Sequence, residues 1–128
     1  MTIAIEPQES ATVIRLEGRF DAHVTAAFRT RFEEASASNS RVVVDLSAVG
    51  FVDTSGLAAL VQGMKHCRER EGDLRLAAPR DPVRIILELT RLDRAMRVYP
   101  NLEAALASFD PVEVNAAEEP PKDDSTAT

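Results

Sequence analysis

The segment Arg41-Val42-Val43-Val44-Asp45-Leu46 places the tightest constraint on how this chain can fold. Three successive valines leave the run without a polar side, and β-branched side chains suit extended backbone better than helix. The run reads as a central strand covered on both faces, which calls for other elements packed above and below a sheet.

Around this strand two hydrophobic periods alternate. Residues 3–7 and 12–18 are short β-rich segments, the second carrying Val13, Ile14 and Leu16, with a turn at Pro7-Gln8-Glu9-Ser10 between them. From about residue 22 to 37, Val24, Phe28, Phe32 and Ala35 recur at helical spacing, and the serine-rich stretch 36–40 ends that helix. Leu57, Leu60, Val61, Met64 and Cys67 mark one stripe of another helix, with Gly72 placed to cap its carboxyl end. Residues 73–78 alternate through Leu74 and Leu76 as a strand. Val83, Ile86, Leu87 and Thr90 are again helical, residues 97–99 form a short last strand, and Pro100-Asn101 opens a final helix through Leu102, Ala105, Leu106 and Phe109. The expected fold is α/β: a mixed sheet of about five strands with about four helices packed on it. The first two strands, joined by a tight turn, are expected to be antiparallel. The later ones, separated by helices, are expected to be parallel.

The 128 residues suit one domain, but charge divides them. Residues 110–128 hold six acidic groups against the single Lys122, together with three of the seven prolines. With so little apolar surface to bury, they read as an acidic disordered tail on a domain spanning 1–109. The body is nearly neutral, with fifteen acidic against fourteen basic residues, so it lacks the electrostatic footprint of a nucleic-acid binder. The lone Cys67 allows no intrachain disulfide and no cysteine-built metal site, which fits a reducing, cytoplasmic compartment. The start shows no signal-peptide pattern, and no apolar run is long enough for membrane insertion.

The block Asp53-Thr54-Ser55-Gly56 follows the buried strand and opens a helix. All of Asp53, Thr54 and Ser55 are good cap residues, so one reading is simply a well-provided helix start. The functional reading begins from place. A hydroxyl at a strand-to-helix junction lies at the edge of the sheet, within reach of a macromolecule, and Gly56 removes a side chain beside it. Free N–H groups and the helix dipole tolerate an anion there. A phosphate on Ser55 would add about −1.5 to −2 charges without unfolding its host. A partner fitted to the bare hydroxyl would then face bulk and an unpaired anion.

These residues carry a resemblance. The strand residues 42–46, followed by Phe51-Val52-Asp53-Thr54-Ser55-Gly56-Leu57, resemble the STAS domain of anti-sigma factor antagonists, and Gly18-Arg19-Phe20-Asp21 is similar to the family's motif before its first helix. The resemblance covers about residues 3–109. It implies that Ser55 is phosphorylated by a partner serine kinase of the GHKL ATPase type, often itself the anti-sigma factor, with Asp53, Thr54 and Gly56 supporting the phosphosite. It implies that the unmodified form binds that partner, and that a metal-dependent serine phosphatase restores it. Docking is implied at Asp21, His23, the approach through residues 49–52 including Phe51, and the helix start including Leu57. Thr54 is a second possible phosphoacceptor. Phe51 reads either as core or as an exposed anchor, and the frequency with which Phe is buried favours the core. A scaffold or accessory subunit of a signalling or transporter assembly is the alternative role for the same fold.

Other constellations are weaker. His23 and His66 have no carboxylate at a metal-ligand spacing. Ser55 with Asp21 and His23 lacks the G-x-S-x-G elbow of a hydrolase, so no catalysis, no cofactor and no metal are expected. Arg91, Arg94 and Arg97 repeat every three residues as a solvated face. Cys67 reads as core, and Gly63 in mid-helix points to close packing against a neighbour.

Overall fold

The computed structural model describes residues 1–110. The elements run β1 (Thr2–Pro7), β2 (Thr12–Phe20), α1 (Thr25–Ser38), β3 (Arg41–Val52), α2 (Thr54–Glu69), β4 (Asp73–Ala77), α3 (Asp81–Leu89), α4 (Leu92–Ala95), β5 (Val98–Tyr99) and α5 (Leu102–Ala107). The strands form one sheet in the order β1-β2-β3-β4-β5. β1 pairs antiparallel to β2, and every later pair is parallel, as the connection lengths led one to expect.

The three valines of β3 divide between the sheet's two faces. Val42 and Val44 join Ile14, Leu16, Phe28, Leu60 and Leu87 in the main core, under α1, α2 and α3. Val43 joins Val13, Ala77, Ala105 and Phe109 under α5. All three valines are fully buried, each contributing about 1.5–3 kcal/mol of hydrophobic stabilisation. The unbroken apolar run is therefore a central strand covered on both sides.

β3 is twice as long as its apolar run implies, because the strand continues to Val52. It holds two more residues than β2 over their shared ladder, with register shifts between Arg15 and Glu17 and between Gly18 and Arg19. Such bulges bend a strand and reverse which face its next side chain occupies. Gly18 sits at the second shift with φ 115°, a conformation that disfavours any residue with a Cβ.

The carboxyl end of α2 is closed by backbone hydrogen bonds from Glu71 N–H to the Arg68 carbonyl (3.2 Å) and from Gly72 N–H to the Cys67 carbonyl (2.8 Å), the Schellman arrangement. The left-handed residue is Glu71, at φ 65°, not the expected capping glycine. Gly72 is required for a different reason: a Cβ there would lie 2.0 Å from the Ser40 carbonyl oxygen. Next to it, the buried carboxylate of Asp73 accepts from Arg68 Nε (2.8 Å) and Arg75 Nε (3.0 Å). Arg68 also donates to the Ala95 carbonyl, and Arg75 donates to Ser108. One acid thus ties α2, β4, α4 and the end of α5 together.

Two local expectations hold. A Cβ on Gly63 would approach Leu74 Cδ1 to 2.9 Å, so the glycine lets α2 lie close to β4. Cys67 is fully buried, and burial, aided by Asp73, pushes its thiol up to about 12. The short α4 is additional: Arg91, in a left-handed conformation, interrupts the helical run after α3 and restarts it for one turn. The segment expected to be a disordered acidic tail lies outside the described residues except for Asp110, whose carboxylate accepts from the Ser10 hydroxyl.

Candidate functional site

β2 and β3 end side by side, with Phe20 paired to Val52, and α2 begins two residues later. Asp53 is the cap. Its Oδ1 accepts from Gly56 N–H (3.0 Å) and its Oδ2 from Ala22 N–H (3.3 Å), while its own N–H donates to the Phe20 carbonyl (3.2 Å). One carboxylate therefore starts the helix and fastens the loop after β2 to it. Asp21 organises that loop by accepting from His23 N–H (3.0 Å).

With Asp53 filling the cap, Thr54 and Ser55 occupy the first and second helical positions. Among the described residues neither hydroxyl has a hydrogen-bond partner. Thr54 is exposed and Ser55 half-buried. The reading of this block as no more than an over-provided cap accounts for one of its three polar residues and leaves two hydroxyls unassigned.

Gly56 does a different job from the one its position suggested. It is buried, and a Cβ there would meet the Phe20 carbonyl oxygen at 2.5 Å and Val52 Cγ2 at 2.7 Å. The missing side chain seats the first turn of α2 on β2 and β3. It does not open room for an incoming molecule.

The residues named for docking separate into two groups. Asp21 is partly exposed, and His23 is almost wholly so, with its side chain at 92%. Phe51 is 38% exposed, against the expectation that favoured the core. Strict alternation from the buried Val49 puts Phe51 inside, but the second bulge shifts the phase by one residue, so Val52 turns in and Phe51 out. Leu57 is the correction in the other direction. It is 7% exposed and belongs to the main core, so it offers no docking side chain.

Arg19 was part of the recognised motif but not of the docking set. Its guanidinium lies 4.0 Å from the centroid of the Phe51 ring, and its Nε is 3.7 Å from Asp21 Oδ2. The cross-strand pairing of Arg19 with Phe51 creates this contact, and only knowledge of the bulged register would have revealed it. The exposed surface at this end of the sheet thus carries an aromatic ring under a cation, two carboxylates and two free hydroxyls. His23, Asp21 and Ser55 share this region, but no acid–base relay links them. His23 meets Asp21 only at 3.6 Å (Nδ1 to Oδ1), and Ser55 has no side-chain contact with either through a hydrogen bond.

Comparison with known proteins identifies the family. A family model described as the STAS domain matches residues 2–105. The chain is similar to the anti-sigma F factor antagonist of Paenibacillus polymyxa, with 25% identity over 114 residues, covering 88% of this chain and 97% of that one. An anti-sigma factor antagonist structure from Mycobacterium paratuberculosis is similar with a TM-score of 0.76 and 27% identity, covering 84% of this chain and 92% of the other. The Bacillus cell fate determinant SpoIIAA in its phosphorylated form shares the fold, with a TM-score of 0.66 and 21% identity over 84% and 98% of the two chains. Among the described residues no helix is long and apolar enough to cross a membrane.

Proposed function

Because the chain belongs to the STAS domain family, we propose that it is an anti-sigma factor antagonist whose docking is controlled by phosphate on Ser55. In this reading the unmodified chain binds an anti-sigma factor that is also a serine kinase of the GHKL ATPase type. Phosphorylation of Ser55 ends the complex, and a metal-dependent serine phosphatase restores it. The chain acts in the cytoplasm as a protein substrate of both enzymes and performs no catalysis itself.

One observation carries the proposal: Ser55 stands at the second position of α2, partly accessible, with its hydroxyl uncommitted and the cap already supplied by Asp53. Modifying it removes no structural hydrogen bond. The new phosphate meets the N–H groups and positive dipole end of a sixteen-residue helix, so the fold tolerates it. For a partner the change is large. About −1.5 to −2 charges and three acceptor oxygens appear beside the Asp53 carboxylate. An anion buried unpaired in an interface costs about 2–5 kcal/mol, enough to dissolve a tight complex. Two relatives support the reading by name: the Paenibacillus polymyxa protein as an anti-sigma F factor antagonist, and SpoIIAA through the existence of its phosphorylated form.

Within this scheme Asp21, His23 and Phe51 supply docking contacts, with Arg19 as the side chain that holds the Phe51 ring and faces Asp21. Asp53 and Gly56 hold the phosphosite in place, one by capping and one by close packing. Leu57 has no part in docking. The test is to incubate the chain with its cognate kinase and ATP and map the product. Modification at Ser55, abolished in Ser55→Ala, is the expected result. Label at Thr54 or elsewhere overturns the assignment.

A further inference from the structure

On the main-core side of the sheet, α3 buries Val83 and Leu87 but leaves Leu89 78% exposed and Ile85 47% exposed. These two are the most exposed large hydrophobic side chains among the described residues, and they lie one turn apart on a single face. Two adjoining apolar side chains on one helix face offer an apolar surface that a partner segment can cover. Its surroundings are basic. Residues 80–97 hold five arginines against three acids, although the described body as a whole is slightly acidic. Arg84 is occupied by Asp81 and Glu88, whereas Arg80, Arg91 and Arg94 are exposed and make no ion pair among the described residues.

The sequence contains a matching segment. Residues 111–128 follow Asp110 and carry Glu113, Glu118, Glu119, Asp123 and Asp124 against one lysine, with Val112 and Val114 flanking the first of these acids. Eighteen residues can extend about 60 Å, well beyond the roughly 35 Å breadth of a domain this size, so every part of the surface is within reach of Asp110. Tethering also gives the segment an effective concentration near the millimolar range, enough to populate a contact too weak to form between separate chains.

We propose that the Ile85–Leu89 stripe of α3 and the flanking Arg80, Arg91 and Arg94 form the docking surface for this chain's own acidic segment 111–124. The acids from Glu118 to Asp124, eight to fourteen residues past Asp110, meet the arginines, and Ala117, Pro120 and Pro121 among them lie against the apolar stripe. The contact is intramolecular and salt-sensitive, and it is independent of whether Ser55 is a phosphosite.

The test uses the full chain with Ser125→Cys carrying a nitroxide label, the native Cys67 being fully buried and its thiol protonated. Proton–nitrogen NMR spectra recorded at low salt should show loss of peak intensity concentrated at the amides of Ile85, Leu89, Arg91 and Arg94. The loss should be relieved at high salt, and also in the exposed-site variants Leu89→Glu and Arg94→Glu. Uniform or absent loss overturns the proposal, as does loss centred on another surface such as the start of α2. Mixing labelled chain of natural isotope content with unlabelled nitrogen-15 chain separates the remaining case. If the same amides lose intensity there, the occupant is a second copy and the intramolecular assignment is wrong.

Discussion

The two ends of α2 are finished in opposite ways. At the carboxyl end Glu71 and Gly72 close the last turn by backbone bonds, Gly72 lies against Ser40, and Asp73 draws in Arg68 and Arg75. Polar groups there are matched to partners across several elements. At the amino end a single carboxylate, Asp53, does the capping, and among the described residues the hydroxyls of the exposed Thr54 and the half-buried Ser55 have no hydrogen-bond partner. The inward side of that same turn is also close-packed, because Gly56 rests on Phe20 and Val52. The amino end is therefore rigidly seated yet chemically open, and a modification there can alter a surface without loosening the fold.

Substitutions should separate the two ends by magnitude. The largest effect is expected from Asp73→Ala. It leaves Arg75, whose side chain is 13% exposed, without its carboxylate, and costs about 3 kcal/mol, the low end for breaking a buried pair because Arg68 still reaches water. Urea denaturation should show a lower midpoint at unchanged slope; a loss below about 1 kcal/mol would mean that the carboxyl end is not the firmer one. Gly56→Ala comes next. Its methyl must displace backbone and Val52, at about 2 kcal/mol, and α2 should shift outward without unfolding. A thermal midpoint equal to the parent's would show that the seat is looser than the contacts indicate.

Asp53→Ala removes the cap and should cost about 1 kcal/mol. Amide hydrogen exchange should accelerate at Gly56 and at Ala22, since the same carboxylate accepts from both. Faster exchange at Gly56 alone would mean that the loop after β2 is held by something else. Ser55→Ala is expected to change stability by less than about 0.5 kcal/mol, because among the described residues its hydroxyl has no hydrogen-bond partner. A larger loss would give Ser55 a structural duty and weaken its assignment as a switch.

The sequence carried the layers and the strand directions, because those follow from short-range signals. The triple valine required cover on both faces, and connection lengths separated antiparallel from parallel pairs. What stayed hidden depended on register. The bulges that lengthen β3 and turn Phe51 outward leave no local mark beyond Gly18. The glycines near the two ends of α2 were visible as glycines, but their reasons were not. Gly56 serves inward packing where open space was expected, and Gly72 serves contact with Ser40 where a left-handed turn was expected. Leu57 sits on the apolar stripe of its helix, and that stripe, not its nearness to Ser55, decides its place in the core.

The central claim is that charge on one uncommitted hydroxyl controls docking without reshaping the domain. Its most direct test is the dissociation constant of the cognate anti-sigma partner for the unmodified and the Ser55-phosphorylated chain, with circular dichroism confirming that both forms are folded. An affinity at least about 30-fold weaker for the phosphorylated chain is the predicted result, corresponding to 2 kcal/mol or more. Equal affinities for two equally folded forms would contradict it.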